Sequence, residues 1–512
     1  MNINNEEMVT ISRAEYEELQ AQSERLSELE KQNELLLEAI RLTRQKQFGA
    51  SSEKTYNDGS EQLSLLFDEA EVYAAAEASV TVVESHTRRK RHEYTLDKLP
   101  EGIATEVVEH RIEDAECPNC GEPMEEIGKE VVRTLKLIPA KAVVVEHVYY
   151  SYACKKCEKE ATETPVIKVP HEQSIIPGSF ATAEAIAHLM TQKFVMGSPL
   201  YRQEQELKRQ GITLSRQTMS NWMLKATEDY LVPVYEQLRT ELLKRDVLHA
   251  DETTLQVLNE PNRKAQSKSY MWLYRTGGDT GKPIVLYEYQ TSRGGEHPKR
   301  FLEGFKGYLH TDGYEVYHKL PEEITVVGCW AHARRKFDEA LKSQPKANKA
   351  GLAAQGLEWC NKLFKIEKEI KDLPAKVRYE KRLEQAKPVL DAVWSWANSR
   401  TVAPKSALGK AMHYLKEQWP YLCNYLKDGR LELSNNLAER SIKPFVIDRK
   451  NFLFANTPRG AQGSAVMFSL IQTATENKLD PYKYLVWVMK EGQRIKDTDE
   501  NWAEKLLPWN ML

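Results

Sequence analysis

The chain has 512 residues, 41% hydrophobic and 29% charged, with mean hydropathy −0.59 and a formal net charge of −3. That length supports several domains with a large core, and the near-neutral balance excludes a uniformly basic coat while leaving room for local basic patches. No apolar run reaches the ~18 residues of a membrane helix, and the polar N-terminus lacks a signal-peptide pattern, so a cytoplasmic protein with no membrane partner is expected.

Residues 12–45 read as one long helix. Leu19, Leu26, Asn33 and Ile40 recur every seven residues, and Leu29 and Leu36 fall three after two of them. That is a heptad seam, with Asn33 able to set the register of a parallel pair. Two readings fit it: a dimerising zipper over 1–48, which the charged flanks favour, or a helix packed on its own protein. Residues 49–98 are acidic and Ala-rich and carry the cluster Arg88-Arg89-Lys90-Arg91. They read as a flexible linker with a basic arm, which either contacts DNA or is merely solvated.

Four of the seven cysteines form two pairs, Cys117/Cys120 and Cys154/Cys157. Each pair offers two sulfurs from one turn. Two such knuckles close a tetrahedron around structural Zn2+ and leave no open coordination position. Val143–Tyr152 between them is rich in Val and Tyr and predicts a strand. Residues 99–175 are therefore expected to form a zinc-ribbon DNA-binding domain.

Residues 176–240 predict three helices: Ala181–Phe194, Pro199–Gln210, and Arg216–Ala226 capped by Ser215. Met219, Trp222 and Met223 form the inner face of the third, with Arg216, Gln217, Ser220 and Asn221 outward. The arrangement is helix-turn-helix-like, with those outward side chains as candidate DNA contacts, although other three-helix bundles share the pattern.

From residue 241 the period changes. Val247–Leu255, Tyr270–Tyr274 and Ile284–Tyr289 predict an antiparallel meander. Gly304–His310 and Ile324–Gly328 follow as strands, and a helix opens near Trp330. This order suggests a ribonuclease-H-like catalytic domain whose first part spans 241–340. Asp251 interrupts an apolar strand, and Asp312 stands where a strand ends before Gly313. Two carboxylates on neighbouring buried strands need a cation between them. A third acid is expected on a later helix. Glu439 follows the capping cluster Ser434-Asn435-Asn436, with Pro444 expected to keep that helix short. Glu432 is its rival, and Glu252 points to the opposite strand face. Arg440 and Lys443, and with them His332, Arg334, Arg335 and Lys336, either contact phosphates or form solvated faces. His249 reads as a histidine of the core or one behind the ligands rather than a ligand itself, and Trp330 as packing. Residues 341–430 predict an all-helical insertion, with helices over Leu357–Ile370, Val377–Trp396 and Ala407–Leu426. Residues 431–475 then complete the catalytic domain, and 476–512 form a C-terminal segment.

The stretches HADET around Asp251, YLHTDGY around Asp312, CWAHARRKF, and NNLAERSIKPF around Glu439 followed by RKNFLFA resemble the insertion-sequence-66 family of transposases, the TnpC type. KQFGASSEK after the zipper, the CPNC and CKKC pairs, and the segment around 451–484 carry the same resemblance. It implies a multidomain α/β protein with an Asp-Asp-Glu triad of Asp251, Asp312 and Glu439, which holds Mg2+ (or Mn2+), cleaves element ends and joins them to target DNA. It further implies double-stranded DNA as partner, a nucleoid-associated location, a homodimer or higher oligomer, and accessory proteins from the same element. A catalytically silent DNA-binding regulator and a structure-selective nuclease of the same fold are the competing readings.

Overall fold

The computed structural model describes residues 142–153, 166–171, 173–278, 281–344 and 351–511, with isolated helical positions between residues 13 and 36. Contacts divide the chain into two units, Ser79–Glu172 and the remainder, Met1–Ala78 with Gln173–Leu512. Cys117, Cys120, Cys154 and Cys157 lie outside the described residues, as do Leu19 and Ile40 of the heptad seam. Leu26, Leu29, Asn33 and Leu36 are helical, and the three leucines are 61%, 56% and 64% exposed.

In the smaller unit β1 (Ser151–Ala153) pairs antiparallel with β2 (Val166–Lys168). The strand predicted over Val143–Tyr152 is thus confined to its end. Residues 142–150 carry no ladder, and Val143, Val144, Val145 and Val148 are exposed. High β-propensity alone forms no strand without a partner edge or a face to bury.

The larger unit opens with α1 (Ala183–Phe194), α2 (Leu200–Arg209) and α3 (Arg216–Ala226), close to the periods read from the sequence. Ser215 caps α3 by accepting from Thr218 N (3.1 Å), and Met219, Trp222 and Met223 are buried. A π segment, Thr227–Leu231, carries α3 on into α4 (Val232–Leu243). Pro233 follows directly, and the widened turn absorbs a residue that has no N–H to donate.

The sheet follows: β3 (Val247–Gln256), β4 (Lys268–Thr276), β5 (Val285–Gln290), β6 (Gly307–His310) and β7 (Ile324–Val327), in the order β5-β4-β3-β6-β7. The first three form an antiparallel meander, and β6 and β7 run parallel to β3. A short helix, α5 (Glu296–Phe301), precedes β6. β3 is central and buried over its first seven residues, so it reads as an apolar run rather than an alternation.

Two apolar cores flank this sheet. One joins β3–β5 to α1, α3, α4 and the C-terminal helices α11 (Asn436–Phe452), α12 (Pro458–Glu476) and α13 (Pro481–Ile495). The other joins α6 (Trp330–Ser343) to α7 (Leu352–Ile370), α9 (Lys387–Asn398) and α10 (Ala407–Leu422) of an all-helical stretch; α8 (Ala375–Lys381) of that stretch buries no residue. Arg382, fully buried in the π segment between α8 and α9, pins that helical stretch to the chain leading out of it. Its guanidinium donates to both Glu367 oxygens (2.8 and 2.7 Å) and to the carbonyls of Tyr425, Asp428 and Leu431.

Edge strand β5 is closed by side chains. Thr473 Oγ1 accepts from Val285 N (3.0 Å) and donates to Val285 O (2.9 Å). Ser469 Oγ accepts from Tyr287 N (2.8 Å), and the Tyr235 hydroxyl donates to Tyr287 O (3.0 Å). Residues four apart on α12 share a face, so the pair matches two successive outward positions of the strand.

Candidate active site

Asp251 sits mid-strand on β3, opposite Leu273 of β4, and is 6% exposed. Its Oδ1 accepts from Glu252 N (2.8 Å). Asp312 follows the end of β6, where Oδ1 accepts from Tyr314 N (2.9 Å) and closes a tight turn. Gly313 makes that turn at φ 94°, and a Cβ there would meet Gln418 and the Tyr414 hydroxyl within about 3 Å. Both residues belong to α10. Tyr414 donates to Asp312 O (2.9 Å) and Gln418 Nε2 to Gly313 O (3.3 Å), so the helical stretch holds this loop in place.

Glu439 lies in the first turn of α11 and is 5% exposed. The structure brings the three acids together. The Asp251 carboxyl is pushed well above the usual range by burial first, then by the charges of Glu252, Asp312 and Glu439. Glu432 instead faces the positive charges of Arg440, Arg275, Arg378 and Lys371.

Two expectations about α11 need correction. The helix is not short: it runs through Pro444 to Phe452, because buried Ile442, Phe445 and Val446 anchor it on the core and outweigh one missing N–H. Nor does the Asn cluster cap it through a side chain. The Asn435 amide reaches β3 instead, with Nδ2 donating to Ala250 O (2.8 Å) and Oδ1 meeting His249 Nδ1 (2.9 Å). This bond sets the start of α11 against the strand that bears Asp251. His249 stacks on His310 of β6 (centroids 4.3 Å, 9°), both fully buried. Burial lowers His249 to about 3 and takes His310 well below its ordinary value, so both are neutral core histidines.

Sequence reasoning missed Arg293, which lies in the loop after β5 with no local pattern to mark it. Its guanidinium covers the Tyr314 ring (3.7 Å), donates through Nε to Glu252 Oε1 (2.8 Å) and approaches Asp312 Oδ2 (3.9 Å). Tyr317 also donates to Glu252 (2.6 Å). Burial and the Asp312 charge raise Glu252 to about 7 against the pull of these two partners.

On the other side stand Cys329, the N-cap residue of α6, and His332 one turn on. Cys329 Sγ accepts from Asn435 N (3.2 Å), and His332 Nδ1 lies 3.8 Å from Glu439 Oε1. Burial and then the Arg335 charge lower His332 to about 4. Arg335 and Lys336 are half-buried beside it, Arg440 is exposed and Lys443 half-buried. Arg334 departs from the expectation of a phosphate contact. It is 5% exposed and donates through Nε to Asn361 of α7 (2.8 Å), because its position on α6 faces the second core. Arg216, Gln217 and Asn221 lie outside this constellation on the exposed face of α3, where Gln217 donates to Asn221 (3.0 Å).

A buried carboxyl beside two further acids suits a hard divalent cation, and an all-oxygen set suits Mg2+ or Mn2+. No helix among the described residues is long and apolar enough to cross a membrane.

Comparison with known proteins places these features in a family. The model described as "Transposase IS66 family" matches residues 178–463, which include all three acids. Its companions match in chain order: "Transposase C of IS166 homeodomain" over 35–103, "zinc-finger binding domain of transposase IS66" over 114–158, and "IS66 C-terminal element" over 469–509. Among full-length relatives, uncharacterized protein y4hP of Sinorhizobium fredii (strain NBRC 101917 / NGR234) is 31% identical over 88% of this chain and 82% of its own. From the same organism, uncharacterized protein y4qI is 29% identical over 93% of this chain and 88% of its own. The chain is a multidomain α/β protein with a zinc-finger domain, and it belongs to the IS66 family of transposases.

Proposed function

We propose that this chain is the transposase that cleaves the DNA ends of its insertion sequence and joins them to a target, with Asp251, Asp312 and Glu439 as the catalytic carboxylates of a ribonuclease-H-like domain. The observation that carries this reading is the convergence of the three acids from β3, the end of β6 and the first turn of α11. The sheet order, with an antiparallel meander followed by two strands parallel to the central one, supports the ribonuclease-H-like assignment.

The three carboxylates would hold Mg2+ or Mn2+, which when bound supplies activation of the attacking oxygen and charge neutralisation of the leaving one. The rest falls to the chain's own groups. Asn435 fixes α11 on β3, and Tyr414 and Gln418 fix the Asp312 turn, so the acids are preorganised before DNA arrives. Arg335, Lys336, Arg440 and Lys443 provide positive charge for the phosphates on either side of the scissile bond. The zinc-finger domain, with Cys117, Cys120, Cys154 and Cys157 as zinc ligands, and the exposed face of α3 would bind the terminal repeats.

The test is strand transfer from a labelled terminal-repeat duplex in Mg2+. Asp251→Asn and Glu439→Gln are expected to bind the duplex as the unaltered chain does and to give neither cleaved nor joined product. Activity retained by Glu439→Gln would move the third acid to Glu432. Cleavage without joined product would favour a nuclease, and binding without cleavage by the unaltered chain a regulator.

A further inference from the structure

Beside the all-oxygen site lies a second set of ligand atoms with different chemistry. Cys329 is the N-cap of α6 and His332 its third helical residue. In a helix start these two positions project side by side, as in a capping box. Both side chains meet Glu439 in the first turn of α11. A sulfur of Cys329, a ring nitrogen of His332 and a carboxylate oxygen of Glu439 all lie within 4.8 Å of one another. His332 Nδ1 is buried and has no hydrogen-bond partner among the described residues. The Asn435 backbone N–H donates to Cys329 Sγ and favours a thiolate, whereas burial and the Glu439 charge push the thiol up to about 12 when no cation is present.

We infer that Cys329, His332 and Glu439 form a binding site for a thiophilic divalent cation of the Zn2+ class, and that its occupation withdraws Glu439 from the Mg2+ site. A tetrahedral Zn2+ with one sulfur, one nitrogen and one oxygen ligand sets those atoms about 3.4–3.6 Å apart. Contraction by roughly an ångström closes the site, with the fourth position left to water. Mixed S, N and O donors select Zn2+ or Co2+, whereas Mg2+ prefers oxygen alone. Binding would release the thiol proton to solvent, and no oxidation is involved. The cation would therefore act as an inhibitor: Glu439 serves one metal or the other. This inhibitory consequence rests on the proposed catalytic role of Glu439; the binding site itself does not.

The experiment titrates Co2+ into the full chain already carrying zinc at its finger domain. A further equivalent is expected to bind with a thiolate-to-cobalt charge-transfer band in the near ultraviolet. Cys329→Ser is expected to abolish that band, and His332→Gln to weaken Co2+ binding about tenfold or more. His332 is partly exposed, so its variant keeps the test independent of any folding defect caused by altering buried Cys329. An identical band and stoichiometry in both variants overturns the site. In Mg2+-dependent cleavage, Zn2+ is expected to compete with Mg2+, and Cys329→Ser to raise the half-inhibiting Zn2+ concentration about tenfold or more. Inhibition unaltered by that change overturns the shared use of Glu439. Glu439→Gln cleavage tests the catalytic reading separately, because Co2+ absorption needs no turnover.

Discussion

Asn435 shows how much rests on one short amide. Its side chain holds Ala250 O and His249 on β3 while its backbone N–H reaches Cys329, so three chain segments meet at a single residue. Asn435→Ala leaves a buried carbonyl and a buried imidazole nitrogen without partners, at about 1–3 kcal/mol each. We expect the urea midpoint to fall by a corresponding amount, and a variant as stable as the original chain would show that α11 is held otherwise. The stacked histidines add a pH dependence. In the unfolded chain each takes a proton near pH 6.5, whereas folded His249 does so only near 3 and His310 well below its ordinary value. Between those limits the unfolded state binds more protons, so stability is lost as the pH falls below about 6.5. The slope approaches about 1.4 kcal/mol per pH unit for each histidine. Glu252, raised to about 7, and Asp251, raised as well, take up protons in the fold over the same range and oppose this slope. Thermal midpoints of an Asp251→Asn/Glu252→Gln variant should therefore decline from pH 7.5 to 5; a flat profile there would mean that the pair is charged in the fold.

Among the elements, local periodicity served well wherever one face decides the outcome. Helix α3 begins at Arg216 and turns Met219 and Trp222 inward, as its spacing requires, and Val247–Gln256 announced itself by an apolar strand broken by acid. Asp251 was legible as a buried strand carboxylate for the same reason, whereas Asp312 and Glu439, read from a strand end and a helix start, needed the fold to be set beside it. What stayed illegible depends on distant partners. Pro444 looks like a stop until the sheet beneath α11 is known. Arg293 belongs to no pattern and gains its place from Glu252 and Tyr314. Arg334 looks like its neighbours until α7 supplies Asn361. Arg382 is the extreme case, a cation with every donor engaged inside the helical stretch. Arg382→Met leaves the Glu367 carboxylate with only Arg378 at 3.7 Å and removes a donor from three carbonyls, and we expect a loss of about 3–5 kcal/mol in urea unfolding. Replacing Ser469 by Ala and Thr473 by Val should cost about 1–3 kcal/mol for each backbone N–H left bare on β5. Hydrogen exchange at Val285 and Tyr287 would report it, and unchanged protection would argue against the hydroxyl clasp.

For the molecule as a whole, Leu26, Leu29 and Leu36 form an apolar stripe exposed in the isolated chain. A stripe of that kind is expected to pair with a second copy. Leu29→Glu with Leu36→Glu should reduce the sedimenting mass to that of one chain and abolish joined products, with the core helices and sheet intact. A mass unchanged by both substitutions would place the contact between copies elsewhere.

The grip of α10 on the Asp312 turn also bears on when the three acids can be assembled during synthesis. Asp251 and Asp312 leave the ribosome early, but Glu439 emerges roughly 130 residues after Asp312, about 6–26 s later at about 5–20 residues per second. For most of that interval the Asp312 turn also lacks its supports, Tyr414 and Gln418, which have yet to be made. If the three acids act together as proposed, a growing chain has no complete set of carboxylates until Glu439 has been made.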